Sequence, residues 1–114
     1  MKTWITQLRK GLLEYCVLSA TSREETYGYQ LLQQLKAIEE LSLTESTVYP
    51  ILNRLKDEGF VRLRQVPSAS GPPRRYFSLT AAGRQRLREM DAYWDSLCQA
   101  IQGLRTHRVQ EPKT

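Results

Sequence analysis

The sequence predicts a mainly α, α+β fold: three helices, a two-stranded β-hairpin and a long C-terminal helix. Three observations carry this. Apolar residues recur at spacings of three and four in several separate stretches, the mark of helices with one buried stripe. The period drops to two after Phe60, as in a half-buried strand. The final stretch repeats its apolar positions over almost three heptads, more than a small domain can cover by itself.

The first helix is expected over residues 4–19. Its stripe is Trp4, Ile5, Leu8, Leu12 and Cys16, with Leu13 and Val17 beside it. A polar connector, Thr21 to Thr26, follows. Tyr27-Gly28-Tyr29 opens the second helix, with Leu31, Leu32, Leu35 and Ile38 as its stripe. Ser42 to Thr44 breaks the pattern. Thr44 is placed to cap a third helix, and Glu45 suits the positive end of its dipole. Val48, Ile51, Leu52 and Leu55 form its core face, and Gly59 takes the C-terminal glycine position. Pro50 lies inside this helix, where it removes one hydrogen bond at a cost of about 3 kcal/mol. The apolar spacing runs through it, so one slightly bent helix is expected.

Phe60 to Val66 (FVRLRQV) reads as a strand and Arg74 to Leu79 (RRYFSL) as its return. Pro67 to Pro73 (PSASGPP) between them is expected to be a loop. Thr80 caps the last helix from Ala81. Leu87, Met90, Trp94, Leu97, Ile101 and Leu104 follow one another at spacings of 3, 4, 3, 4 and 3. About 25 helical residues span about 37 Å, and a second copy of the chain is the simplest cover for the stripe. The tail from His107 is polar and is expected to fray.

Composition bounds the function. The 114 residues suit one domain, and a domain this small gains from oligomerisation. The net charge of +5 is concentrated: Arg54 to Arg88 hold nine basic residues against Asp57 and Glu58 alone. Clustered cations suit phosphate better than they suit an evenly solvated face. No apolar run nears the ~18 residues of a membrane span, and Met1 to Lys10 has no secretory signature. A cytoplasmic protein with no membrane association is expected. Cys16 and Cys98 form no paired motif and read as small buried hydrophobes. His107 is the only histidine, so no histidine-based metal or catalytic cluster is expected, and no cofactor.

Helices, hairpin and a long last helix, in that order, describe a winged helix-turn-helix domain with a dimerisation arm. Residues 1–80 form the DNA-binding unit, 81–108 the dimerisation helix and 109–114 a frayed tail. In such a fold the third helix enters the major groove and the hairpin tip lies along the backbone or minor groove. Projection of the third helix sets Ser46, Tyr49, Pro50 and Asn53 opposite its core face, with Thr47 and Arg54 on one shoulder and Lys56 on the other. Asn53 can pair with an adenine edge, and Ser46 and Thr47 with bases or phosphates. Tyr49 can meet a thymine methyl or a phosphate, unless it packs on the hairpin instead. Arg54, Lys56, Arg74 and Arg75 suit phosphates. The dimer contact is expected from Ile5, Leu8 and Leu12 together with Leu87, Met90, Trp94, Leu97, Ile101 and Leu104.

These residues give the chain a resemblance to the PadR family of bacterial transcriptional regulators. The matching segments are Leu8 to Glu14, Tyr27-Gly28-Tyr29, Ser46-Thr47-Val48-Tyr49-Pro50, Leu55 to Val61, Gly71 to Tyr76, and Leu79-Thr80-Ala81-Ala82-Gly83. The resemblance implies a homodimeric repressor held by its first and last helices and bound to an inverted-repeat operator in double-stranded DNA. It departs at Ser46, where many members carry glycine, and in the proline-rich wing. It also suggests a small aromatic ligand as candidate effector, with Trp94 and Trp4 lining a cleft between subunits; Trp94 as plain interface core is the competing reading. A winged-helix adaptor between proteins is the alternative function, and the basic face bearing Tyr49 and Asn53 speaks against it. No nucleophile–base pair or phosphate-cradling loop supports an enzyme.

Overall fold

A computed structural model describes residues 3–110. Its elements are α1 (Thr3–Lys10), α2 (Leu13–Ala20), β1 (Thr26–Tyr27), α3 (Gly28–Lys36), a 3-10 turn (Glu39–Leu41), α4 (Glu45–Asp57), β2 (Val61–Ser68), β3 (Gly71–Leu79) and α5 (Ala81–Gln110). The helix-rich α+β architecture is the one the sequence predicts.

Four features of the element layout depart from expectation. The first helix is two helices: the chain breaks at Gly11-Leu12, and the Leu12 N–H turns back to the Arg9 carbonyl at 2.8 Å. Leucines on both sides of the break keep the apolar spacing, so the stripe does not register it. The sheet has three strands in the order β1-β3-β2, because Thr26 and Tyr27 pair with Phe77 and Tyr76. The hairpin is longer than expected. Pro67, Ser68 and Gly71-Pro72-Pro73 lie within strands, leaving Ala69-Ser70 at the tip. The register slips between Val66 and Ser68, where a proline costs no ladder hydrogen bond. Finally, α5 runs through residues 109 and 110, which were expected to fray; 111–114 of that tail lie outside the described residues.

The core forms where α2, α3, α4 and the sheet meet. Val17, Leu18, Leu31, Leu52, Leu55, Val48 and Phe77 are fully enclosed. Gly28 opens α3 because Phe77 lies against it: an added Cβ would stand 3.1 Å from the ring. At the end of α4, Gly59 adopts φ 86°, the left-handed conformation that ends helices and favours glycine.

Thr80 joins this end of α4 to α5 by hydrogen bonds. Thr80 Oγ1 accepts from the Gly83 N–H at 3.0 Å and donates to the Gly59 carbonyl at 2.6 Å. Its own N–H reaches the Phe60 carbonyl at 3.1 Å. Thr80 therefore caps α5 as the sequence predicts and pins it to the turn after α4. Thr44, at the start of α4, does not cap by its side chain: its hydroxyl turns to Ser46 Oγ at 3.0 Å and Thr47 Oγ1 at 3.3 Å.

The long helix leaves the body of the domain. Leu87 and Met90 pack against the chain's own core, and Trp94 rests on Tyr15 of α2 with ring centroids 6.1 Å apart. The first half of the heptad stripe is thus partly covered within the chain. Beyond it Leu97, Ile101 and Leu104 stay exposed, as do Trp4 and Leu8 on α1. Ile5 and Leu12 are half-buried. The expectation that both cysteines are buried fails at Cys98, which is exposed on α5; Cys16 is half-buried, and burial raises its thiol pKa.

Candidate nucleic-acid interface

Helix α4 holds its shape by burying one side. Val48, Leu52 and Leu55 are in the core and Ile51 is half-buried, which turns Ser46, Pro50 and Asn53 outward. Pro50 sits within an uninterrupted helix. It lacks the N–H that the Ser46 carbonyl would accept, and both residues are exposed, so water can serve that carbonyl.

Tyr49 is half-buried, because the wing reaches over it. The Arg75 guanidinium lies 6.0 Å above its ring, within cation–π range. Both readings of Tyr49 therefore meet in one place: the ring packs on the hairpin and still borders the open face. Burial, and then the Glu45 carboxylate, raise the phenol pKa, while Arg75 opposes them. Tyr49, Asn53, Glu45, Arg75 and Pro73 line an open groove of about 460 Å³, closed on its third side by Tyr27, Gly28 and Tyr29. Helix α4 and the wing thus share one continuous surface.

Neighbouring residues of a strand face opposite ways, so Arg74 does not join Arg75. It lies 5.2 Å over the Tyr27 ring. Tyr27 stacks near Tyr76 (5.6 Å) and Tyr29 (6.2 Å). Arg64 covers the far side of Tyr76 at 5.1 Å. The Arg64 Nε donates to Glu25 at 2.8 Å, and this holds the Glu25 carboxyl below the usual range. The row Arg74-Tyr27-Tyr76-Arg64-Glu25 was not legible as a unit in the sequence. Its members meet only through pairing of β1 with β3, and a two-residue strand leaves no periodic signal.

The remaining expected contacts are differently placed. Ser46 and Thr47 cluster with Thr44 at the start of α4. Arg54 does not project freely: it donates to Glu14 of α2 at 2.8 Å and lies 3.5 Å from Glu58. Lys56 stands 3.9 Å from Asp57. Trp4 is exposed on α1, and the Trp94 ring lies 6.1 Å from that of Tyr15 within the same chain. Among the described residues no His, Cys, Asp or Glu cluster could hold a metal, and no helix is long and apolar enough to cross a membrane.

Four helices, a wing whose arginine lies over the ring of Tyr49, and an appended long helix define a winged helix-turn-helix protein. The chain belongs to the PadR-like family of transcriptional regulators, which it matches over residues 17–89. It is a regulator of transcription and not an enzyme. It is 32% identical over 82 residues to the negative transcriptional regulator PadR of Bacillus subtilis, covering 68% of this chain and 44% of that one. The chain thus spans less than half the length of that relative. Its fold is similar to a PadR family regulator from Eggerthella lenta, at 34% identity and a TM-score of 0.77, covering 90% of this chain and 88% of the other. It is also similar to Bacillus subtilis PadR solved in complex with operator DNA, at 30% identity and a TM-score of 0.60, over 69% of this chain and 47% of the other.

Proposed function

We propose that this protein is a homodimeric repressor that binds an inverted-repeat operator in double-stranded DNA, in the cytoplasm. The observation that carries the reading is the groove in which Arg75 of the wing lies over Tyr49 of α4 beside the exposed Asn53. A helix that offers hydrogen-bonding side chains outward, with a basic hairpin at its side, fits a major groove and the adjoining backbone. In this reading Asn53, Ser46 and Tyr49 face base edges. Thr47, Lys56, Arg74 and Arg75 meet phosphates, and Arg54 does so only on leaving Glu14. The Bacillus subtilis relative, named a negative regulator and solved on operator DNA, supports the same reading.

The dimer half of the proposal rests on uncovered apolar surface. On α5 Leu104 is 71% exposed, with Leu97 and Ile101 along the same stripe, and on α1 Trp4 is 62% and Leu8 67% exposed. Grouped apolar side chains of this size mark a contact surface. A two-fold axis through α5 sets two α4 helices against successive major grooves, about 34 Å apart. In this reading a small aromatic effector would release the operator by binding between the subunits at Trp4 and Trp94, and Trp94 also packs on Tyr15 of its own chain.

Selection from a pool of random duplex DNA at moderate salt tests the reading. Enrichment of an inverted repeat is expected. Salt-sensitive retention without any enriched sequence would refute it and favour a protein–protein adaptor.

A further inference from the structure

The wing flanks α4 on one side. On the other side the sequence pointed to Arg54 for phosphate, but Arg54 is held by Glu14 and Glu58. What lies beside the start of α4 there is the end of α1. Its last turn carries Arg9 and Lys10. These two residues and Thr47 of α4 line a common cleft of about 180 Å³, together with Ser42 and Leu43 of the connector. Among the described residues no acid lines it. Lys10 is exposed, while Thr47 and Arg9, which has a contact of its own, are half-buried.

This proximity is a product of the break at Gly11-Leu12. A single helix over residues 4–19 would carry its cations along one axis. The turn, fixed by the Leu12 N–H to Arg9 carbonyl bond, lets α1 take its own direction and brings its basic end to Thr47. The result is a cationic site on the side of α4 away from Arg75, continuous with the hydroxyl cluster of Thr44, Ser46 and Thr47.

We infer that the basic end of α1, Lys10 with Arg9, is a further DNA-backbone contact, so that each α4 is flanked by cations from the wing and from α1. The inference rests on the proposed DNA-binding function and extends its footprint. The occupant is duplex phosphate, because the site adjoins the helix that would lie in the groove. A cation meeting a phosphate releases a counterion, and this is read directly in the salt dependence of binding. The contact is sequence-independent, so its loss weakens all sites alike.

The test is the affinity of the full chain for its selected duplex, measured across a series of salt concentrations. Lys10→Gln, Lys10→Glu and Arg9→Gln are compared with Arg75→Gln in the wing. Lys10→Gln is expected to lower affinity about three- to ten-fold near 0.1 M salt and to reduce the logarithmic salt slope by about 0.9 per chain. Lys10→Glu should lower affinity further, and helix content and oligomeric state should be unchanged in both. Should Arg75→Gln weaken binding while all three α1 variants keep the wild-type affinity and slope, the α1 contact is overturned and the proposed function stands. Should wild type itself fail to bind duplex DNA, both are overturned.

Discussion

Glu14 of α2 accepts a hydrogen bond from Arg54 of α4 at 2.8 Å, across 40 positions of sequence. The next residue, Tyr15, carries Trp94 of α5 against its ring and donates to Asp91. Two consecutive residues of one short helix therefore hold α4 and α5 together.

Glu14→Gln removes the carboxylate that engages Arg54. The pair is surface-exposed, at 54% and 26% for its side chains, so its loss should change stability by no more than about 1 kcal/mol. The released guanidinium is a new phosphate partner. DNA affinity should rise, with a salt slope steeper by about 0.9 per chain. Unchanged affinity and slope in a salt titration would show that Arg54 faces away from the duplex.

The junction of α4 and α5 should tolerate no side chain at Gly83. A Cβ there would overlap the Phe60 carbonyl oxygen, which is backbone and cannot swing aside. Gly83→Ala should destabilise the fold by about 1–3 kcal/mol, as overpacking does, despite the better helix propensity of alanine. Urea unfolding measures this; a stabilised variant would show that α5 does not approach the turn so closely.

The Tyr15–Asp91 contact has a pH signature. The hydrogen bond to Asp91, then burial and the charges of Asp91 and Asp95, push the Tyr15 phenol up to about 12 from an ordinary value of 10.0. A phenol harder to ionise when folded stabilises the fold below its unfolded value, and that contribution disappears as pH rises through about 12. Tyrosinate absorbance should show a component at about 12 that is absent in Tyr15→Phe, while Tyr49, whose phenol is also raised, still titrates late in that variant. In Asp91→Asn, Tyr15 should titrate nearer its ordinary 10.0. An unaltered titration in Asp91→Asn would contradict the contact.

On the DNA-facing side, Tyr49→Ala and Asn53→Ala should each weaken specific operator binding by about 1–3 kcal/mol and leave the dimer intact. Binding to non-specific duplex should change less. Titration of operator and scrambled duplexes separates the two effects; equal losses on both would make these residues backbone contacts.

Much of this was legible in the residues. The stripes of Leu31-Leu35 and Val48-Leu55 locate helices because burial selects one face. Gly59 and Thr80 announce helix boundaries through local chemistry. The break at Gly11-Leu12 escaped, since apolar leucines continue the spacing across it. The wing was read too short because Pro67, Pro72 and Pro73 signal a loop, yet prolines sit without penalty where a hairpin slips register. The site was legible only in part. The outward face of α4 follows from projection of one helix. The ring under Arg75, the row from Arg74 to Glu25 and the diversion of Arg54 to Glu14 depend on how separate elements dock, which no local pattern records.

The central claim is a dimer that reads two half-sites at once, and binding to duplexes of different symmetry tests it most directly. Fluorescence anisotropy should compare the intact inverted repeat, a single half-site and the Leu97→Asp variant. Two chains should bind each repeat, with affinity about 100-fold or more above the half-site, since the second contact becomes intramolecular. Leu97→Asp should be monomeric and lose that advantage. Equal affinity for half-site and repeat, or a Leu97→Asp variant that still dimerises and binds as wild type, would contradict the account.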